Sequence, residues 1–179
     1  MWRARVVAAA GLVIVATAGS VAMASGDDSE GSESTLQVVL TGYQEDPGAL
    51  STTGVGQFRA HIDEQRQEIE YELSYGNLEA AVTQSHIHLG GRAQSGGISV
   101  FLCSNLGNGP VGTQDCPPAP ATITGTIRPG DVIGPGAQGI SAGEFAELID
   151  AIRSGTTYVN VHSVKYPGGE IRAQLDHQH

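Results

Sequence analysis

The chain has 179 residues, of which 40% are hydrophobic, and it carries a formal net charge of −10 at pH 7. This acidity argues against nucleic acid and anionic membrane surfaces as partners, because both are themselves negatively charged. Aromatic residues make up only 5% of the chain and are scattered, so no platform for stacking nucleic-acid bases is visible. The length fits one globular domain with a buried core.

Residues 1–24 are predicted to be a cleaved export signal. Arg3 and Arg5 supply a basic start, residues 6–18 are almost wholly apolar, and Ala22-Met23-Ala24 is a small-x-small cleavage site. An uncleaved membrane anchor is the alternative, but the apolar run is shorter than the roughly 20 residues that span a bilayer. We therefore expect an exported protein (secreted, periplasmic or associated with the cell envelope) that is not inserted in the membrane after cleavage.

The rest of the chain divides into a linker, one domain and a tail. Residues 25–34 (SGDDSEGSES) contain no large apolar side chain and are predicted to form a disordered acidic linker. The domain is predicted to cover residues 35–176, followed by a flexible tail over residues 177–179. His177 and His179 could bind copper or zinc weakly, although we expect a mobile end without function.

Alternation of apolar and polar residues dominates the domain. Ile69, Tyr71, Leu73 and Tyr75 alternate with polar residues, which predicts a strand with one buried and one solvated face. The segment Pro167-Gly168-Gly169 predicts a hairpin between the last two strands. Strands are predicted over residues 36–43, 54–62, 68–75, 82–89, 98–103, 121–127, 158–164 and 170–175.

One short helix is predicted near residues 142–153. Ser141 and Glu144 have the spacing of a capping box, and Gly155 supplies a C-terminal stop. Apolar residues recur at helical spacing between them, at Phe145, Leu148, Ile149 and Ile152. A single helix among eight strands predicts an all-β fold, an antiparallel two-sheet sandwich or barrel.

Cys103 and Cys116 are the only cysteines of the chain. In an exported protein they are expected to form a structural disulfide, which stabilises the fold by about 3 kcal/mol on the chain-entropy model. A metal site built on this cysteine pair is the weaker alternative, because thiolates oxidise in such compartments.

Chemistry is concentrated at three histidines. His86 and His88 lie two apart on a predicted strand and therefore point to the same side, and His162 joins them if its strand lies close. Imidazole is a favoured ligand of copper and zinc, so the three rings could hold one ion. Further ligands or supporting partners would come from Gln84, Asn160 and Glu170.

A buried hydrogen-bonded network is the alternative interpretation of the same histidines. Buried polar groups need partners, and Asn160, Glu170 and Arg172 are close in sequence to His162. From the sequence we favour this network over a metal site, because a three-histidine site requires distances that the sequence does not supply.

Motifs of known enzyme classes are missing from the sequence. Ser85 precedes His86, but no Gly-x-Ser-x-Gly elbow is present, and no glycine-rich phosphate loop precedes a helix. We assign no catalytic residue and no organic cofactor, and we expect a protein that is not an enzyme.

Three segments together resemble the CHRD domain, the module named after the animal morphogen antagonist chordin and also found singly in exported bacterial proteins. They are Leu40-x-Gly42 with Glu45 and Pro47, His86-Ile-His88-Leu-Gly90, and Tyr158-Val-Asn-Val-His162 with Pro167-Gly-Gly-Glu-Ile-Arg172. Departures are Asp46-Pro47-Gly48, where Val-Pro-Pro is usual after the glutamate, and Ala173, where glycine is common.

The resemblance implies an immunoglobulin-like β-sandwich, in agreement with the strand pattern, and it supplies no activity that can be carried over to this chain. Our first hypothesis is therefore an exported binding or structural module whose ligand is an unknown protein or cell-envelope component. The second is a copper- or zinc-binding protein that uses His86, His88 and His162 for metal scavenging or redox chemistry.

Overall fold

The computed structural model describes residues 33–176. The predicted export signal, most of the predicted linker and the tail lie outside the described residues. Eight strands and one α-helix make up the described part of the chain. They are β1 (Glu33–Thr41), β2 (Val55–Asp63), β3 (Glu68–Gly76), β4 (Val82–Leu89), β5 (Gly97–Ser104), β6 (Ala121–Ile127), α1 (Phe145–Arg153), β7 (Thr157–Ser163) and β8 (Ile171–Gln174).

The eight strands form one antiparallel sheet that curls nearly into a barrel. Their order is β5-β4-β7-β8-β1-β2-β3-β6, and every neighbouring pair runs antiparallel. β5 and β6 are the ends of the sheet, and the Tyr71 hydroxyl of β3 donates a hydrogen bond across this seam to the Leu102 carbonyl of β5 at 3.2 Å. The predicted all-β antiparallel sandwich or barrel with one helix is confirmed.

Side-chain alternation places an apolar core on the concave face of the sheet. In β2 and β3 the side chains of Phe58, Ile62 and Leu73 are fully buried, whereas Arg59 and Glu72 between them are exposed. Burying each large apolar side chain contributes about 1.5–3 kcal/mol, so this regular pattern drives the sheet to close on itself.

The first strand starts earlier than predicted. Glu33 and Ser34 pair with Asp63 and Ile62, because β2 is long enough to offer them backbone partners. The predicted linker over residues 25–34 is therefore wrong at its last two residues, which belong to β1. At its other end β1 stops at Thr41, because a 3-10 turn follows directly.

The helix begins later than the predicted range of 142–153. α1 starts at Phe145, and Glu144 rather than Ser141 occupies its N-cap position. Only half of the predicted capping box forms: the Glu144 carboxylate accepts a hydrogen bond from the Ser141 backbone N–H at 2.6 Å. Gly155 ends the helical region with a φ of +67°, a left-handed conformation that glycine adopts without strain.

The two cysteines are joined, as predicted. Cys103 at the end of β5 and Cys116 in the segment before β6 form a disulfide with a Cα–Cα distance of 5.1 Å. The bond ties β5 to the segment that leads into β6, and these two strands are the ends of the sheet. Within residues 33–176, no helix is both long and apolar enough to cross a membrane.

Candidate metal centre

Three adjacent strands, β4, β7 and β8, are buried on both faces. One face carries Ile87, Val159, Val161 and Ile171 into the apolar core. Because side chains alternate along a strand, the opposite face carries a second and polar set. Its members, each at most 7% exposed, are His86, His88, Tyr158, Asn160, His162, Arg172 and Gln174.

Strand pairing sets the positions of the histidines. In the β4–β7 ladder His86 lies opposite Asn160, and Gln84 lies opposite His162. His86 and His88 therefore stand beside His162 on one face, as their spacing predicts. Irregularities in the β4–β5 pairing occur next to both histidines of β4. Such irregularities re-aim side chains, and here they accompany rings that converge on one point.

Loops cover this polar face. The loop of residues 90–96 joins β4 to β5, and the loop of residues 164–170 joins β7 to β8. The loop of residues 42–54 lies against the first of these, with the Ser95 hydroxyl donating to Asp46 at 2.7 Å. Against the other, Gly169 approaches Glu45 so closely that a Cβ atom there would lie 2.6 Å from the carboxylate. The histidines are thereby removed from bulk water.

The three imidazoles form a compact cluster. His86 Nδ1 lies 3.2 Å from His162 Nε2. One ring nitrogen from each of His86, His88 and His162 lies within 4.8 Å of the other two. The described part of the chain contains no other group of this kind. The nitrogen–nitrogen distances, which the sequence could not supply, are therefore short enough for the three rings to act as one site.

Backbone carbonyls orient two of the rings. His88 Nδ1 lies 2.9 Å from the Gly96 carbonyl oxygen, and His162 Nδ1 lies 3.0 Å from that of Pro167. A carbonyl oxygen only accepts, so each Nδ1 carries the proton and donates it. The Nε2 atoms of His88 and His162 then carry lone pairs. Histidines that bind metals are held in this way by a partner on the opposite ring nitrogen.

Two ring nitrogens in the cluster have no protein partner. His86 Nε2 and His88 Nε2 are both buried, and neither forms a hydrogen bond with any described residue. Leaving a buried polar atom unpaired costs about 1–3 kcal/mol, so native structures contain few such atoms. The cluster is thus incomplete as a network of protein groups alone.

Burial keeps the three rings neutral. It lowers the pKa of His86 to about 2, with repulsion from His162 and His88 as further causes. It also lowers the pKa of His162 to about 4, although the hydrogen bond to the Pro167 carbonyl opposes the shift. Burial is again the main cause of the lowered pKa of His88, and the positive charge of Arg172 adds to it. At neutral pH the cluster therefore offers lone pairs.

An aromatic stack connects the cluster to a buried cation. The Tyr158 ring lies parallel to the His88 ring, with 1° between the planes and 4.8 Å between the centroids. The guanidinium carbon of Arg172 lies 3.5 Å from the centroid of the Tyr158 ring. Arg172 also donates to the carbonyl oxygens of Gly91 and Gln94 at 2.8 and 3.1 Å. It therefore holds the 90–96 loop in place.

The other predicted partners have hydrogen bonds outside the cluster. The Gln84 amide oxygen accepts a hydrogen bond from Asn108 at 3.0 Å. One oxygen of Glu170 accepts from the Thr52 hydroxyl at 2.7 Å and from the Glu79 backbone at 2.8 Å. The Asn160 amide oxygen is buried without a partner. No hydrogen bond from the side chains of Gln84, Glu170 or Arg172 reaches an imidazole in the described part of the chain.

Comparison with models of protein families identifies the domain. The model of the CHRD domain matches residues 36–175. The chain belongs to the CHRD family. The match spans the described sheet from β1 to β8 except for the first residues of β1. Comparison with curated proteins and with solved structures found no match.

The structure adds residues that sequence reasoning missed. The carbonyls of Gly96 and Pro167 orient two histidines of the CHRD domain, but a backbone acceptor has no signature in a sequence. Tyr158 belongs to the segment Tyr158-Val-Asn-Val-His162, yet only the structure shows its stacking on His88. Phe101 closes the other side of the cluster, with its ring edge-on to His86 at a centroid distance of 4.4 Å.

Proposed function

We propose that this CHRD domain is an exported module that binds one copper or zinc ion through His86, His88 and His162. The observation that carries the proposal is the convergence of one nitrogen from each of the three buried rings within 4.8 Å, together with the unpaired Nε2 of His88 and the lone pair on His162 Nε2. An ion between the rings would give the unpaired Nε2 of His88 a partner and would bind the lone pair of His162 Nε2. Binding rather than catalysis is the activity proposed.

The chemistry of the ligands supports a transition metal. Neutral imidazole suits copper and zinc, and zinc–nitrogen bonds are about 2.0–2.1 Å long. Two nitrogens that share an ion at tetrahedral angles are then about 3.3 Å apart, and His86 and His162 already lie at 3.2 Å. The whole set lies within 4.8 Å, so His88 completes the site with a movement on the order of 1 Å.

Export is the second part of the proposal. The disulfide between Cys103 and Cys116 supports it, because such bonds persist in oxidising compartments and are rare in the cytosol. The predicted signal over residues 1–24 points the same way. In such a compartment the module would scavenge or store metal.

A structural network of histidines is the competing function. It would need the buried Nε2 atoms to be satisfied by protein groups, as the sequence-based network with Asn160, Glu170 and Arg172 requires. Glu170 is engaged with Thr52 and Arg172 with the 90–96 loop, and the Asn160 amide oxygen is itself buried without a hydrogen-bond partner. These contacts favour metal binding over the network.

The test is the metal content of the chain without its predicted signal and without an affinity tag, before and after loading with Cu or Zn. The proposal expects about one ion per chain in the parent protein and in a His177→Ala/His179→Ala control. It expects none in His86→Ala/His88→Ala. Absence of bound metal from the parent after loading, together with a destabilised double variant, would establish a structural role.

A further inference from the structure

We propose that the three-histidine site selects monovalent copper over divalent ions, and that the buried charge of Arg172 strengthens this selection. The inference rests on the proposed metal binding and specifies which ion the site binds. Two independent features carry it. One is the charge of the ligand set, and the other is the cation stacked on the far side of Tyr158.

The ligand set contributes no negative charge. The three rings are neutral, and in the described part of the chain their remaining hydrogen bonds go to the backbone carbonyls of Gly96 and Pro167. No carboxylate or thiolate contacts them among these residues. The full charge of a bound ion therefore stays in a buried site. The cost of burying charge rises with the square of that charge, so a divalent ion is penalised most.

Arg172 places a fixed positive charge beside the site. Arg172 is 2% exposed. The carbon of its guanidinium lies 3.5 Å from the centroid of the Tyr158 ring, and the other face of this ring stacks on His88. The guanidinium thus lies about 8 Å from the His88 ring. At this distance and an effective dielectric constant of about 20, one additional unit of ionic charge weakens binding roughly thirtyfold.

The carboxylates near Arg172 do not cancel this effect. Burial raises the pKa of Glu45 to about 7, so this group is only partly ionised at neutral pH. The Glu170 carboxylate accepts hydrogen bonds from the Thr52 hydroxyl and the Glu79 backbone, and within the described part of the chain Arg172 forms no salt bridge with it.

Coordination number agrees with the charge argument. A structural zinc site has four protein ligands, and three protein ligands leave zinc with a position for water. The rings here are enclosed by Phe101, Tyr158 and the covering loops, which limits access for water. Three nitrogens without a further ligand suit monovalent copper better than zinc.

The test is a set of anaerobic competition titrations with Cu(I), supplied as its acetonitrile complex, and with Cu(II) and Zn(II). The parent protein is expected to bind Cu(I) most tightly. In Arg172→Met the ratio of the Cu(II) to the Cu(I) dissociation constant should fall about tenfold or more. In Arg172→Lys, which keeps the positive charge, this ratio should stay close to that of the parent protein. Tighter binding of Zn(II) or Cu(II) than Cu(I) by the parent would overturn the inference and leave the proposed function intact.

Glu45→Gln provides a second variant that leaves the core untouched. Measured at pH 8, where the Glu45 carboxyl with its pKa of about 7 is mostly ionised, loss of this charge should raise the same ratio. An unchanged ratio in both Arg172→Met and Glu45→Gln would contradict the role of Arg172. Failure of the parent to bind any of the three ions would overturn the inference and the proposed function together.

Discussion

His86 Nδ1 and His162 Nε2 face each other at 3.2 Å, although the residues are far apart in sequence. Because His162 donates its Nδ1 proton to the Pro167 carbonyl, its Nε2 carries a lone pair. Without metal, His86 donates to this lone pair and its own buried Nε2 is left without a partner. With metal, we expect His86 to bind through the Nδ1 atom that faces His162 Nε2, so that the two rings share one ion. This contact preorganises two ligands of the proposed site in the metal-free protein.

Metal affinity should be nearly independent of pH between about 5 and 8. An exposed histidine site loses metal as its rings take up protons near pH 6.5. Here burial holds the pKa of His86 at about 2 and that of His162 at about 4, so protons do not compete over this range. Zinc dissociation constants at pH 5.5 and 7.5 provide the measurement. A hundredfold weaker affinity at pH 5.5 would contradict the buried, neutral cluster.

The metal-free protein should lose stability as the pH falls. The pKa of His86 and His162 is 6.5 unfolded and lower when folded, so below pH 6.5 the unfolded chain binds more protons. The free energy of unfolding then falls by about 1.4 kcal/mol per pH unit for each such ring until the folded pKa is reached. The raised pKa of Glu45 increases the free energy of unfolding as the pH falls from about 7 to 4.5. This is the effect of a single group, and the buried histidine rings together outweigh it.

Urea denaturation at pH 4.5, 5.5, 6.5 and 7.5 measures this slope. A His86→Gln/His88→Gln/His162→Gln variant should show a much flatter dependence, because glutamine does not titrate. If the variant retains the slope of the parent, other groups cause the acid sensitivity.

Gly96→Ala should weaken metal binding. A Cβ atom at this position would lie 1.6 Å from the Leu89 carbonyl oxygen, so the 90–96 loop would have to move. His88 would then lose the carbonyl that orients it, and the loss of such a partner typically weakens metal binding about 10- to 100-fold. Gly48→Ala is the matched control, because a Cβ atom there meets nothing within 4 Å. Equal affinities in the two variants would show that the Gly96 carbonyl does not matter.

Removal of the disulfide should reduce stability and leave the metal site in place. Cys103→Ser/Cys116→Ser is expected to lower the free energy of unfolding by about 3 kcal/mol, as loop-closure entropy predicts. The histidines are held by the β4–β7 pairing and by two carbonyls, so metal stoichiometry should not change. Chemical denaturation and metal analysis of the folded variant test the two parts separately. A folded variant without metal would show that the disulfide shapes the site.

Most of the fold could be predicted because burial on alternate residues leaves a direct mark on the sequence. Ile69, Tyr71 and Leu73 in β3 are an example, and all are buried. Element ends were less predictable, since they depend on partners elsewhere in the chain. Glu33 extends β1 because Asp63 lies opposite, and α1 starts after Glu144, whose carboxylate accepts a hydrogen bond from the Ser141 backbone N–H.

The three histidines of the candidate site could be predicted from the sequence, but the groups that surround them could not. The spacing of His86 and His88 indicated that they share a strand face, and the approach of His162 followed from strand order, which sequence does not give. The sequence suggested Glu170 and Arg172 as partners of the rings. The fold turns Glu170 toward Thr52 and stacks Arg172 on Tyr158, because local loops offer them better partners.

X-ray absorption at the copper edge of the loaded protein tests the central claim most directly. The sample should carry His177→Ala/His179→Ala, so that ligands from the tail cannot contribute. The account predicts about three imidazole rings around each copper ion and a loss of one ring in His162→Gln. A shell made mainly of oxygen, or a spectrum that His162→Gln leaves unchanged, would contradict metal binding by the three histidines.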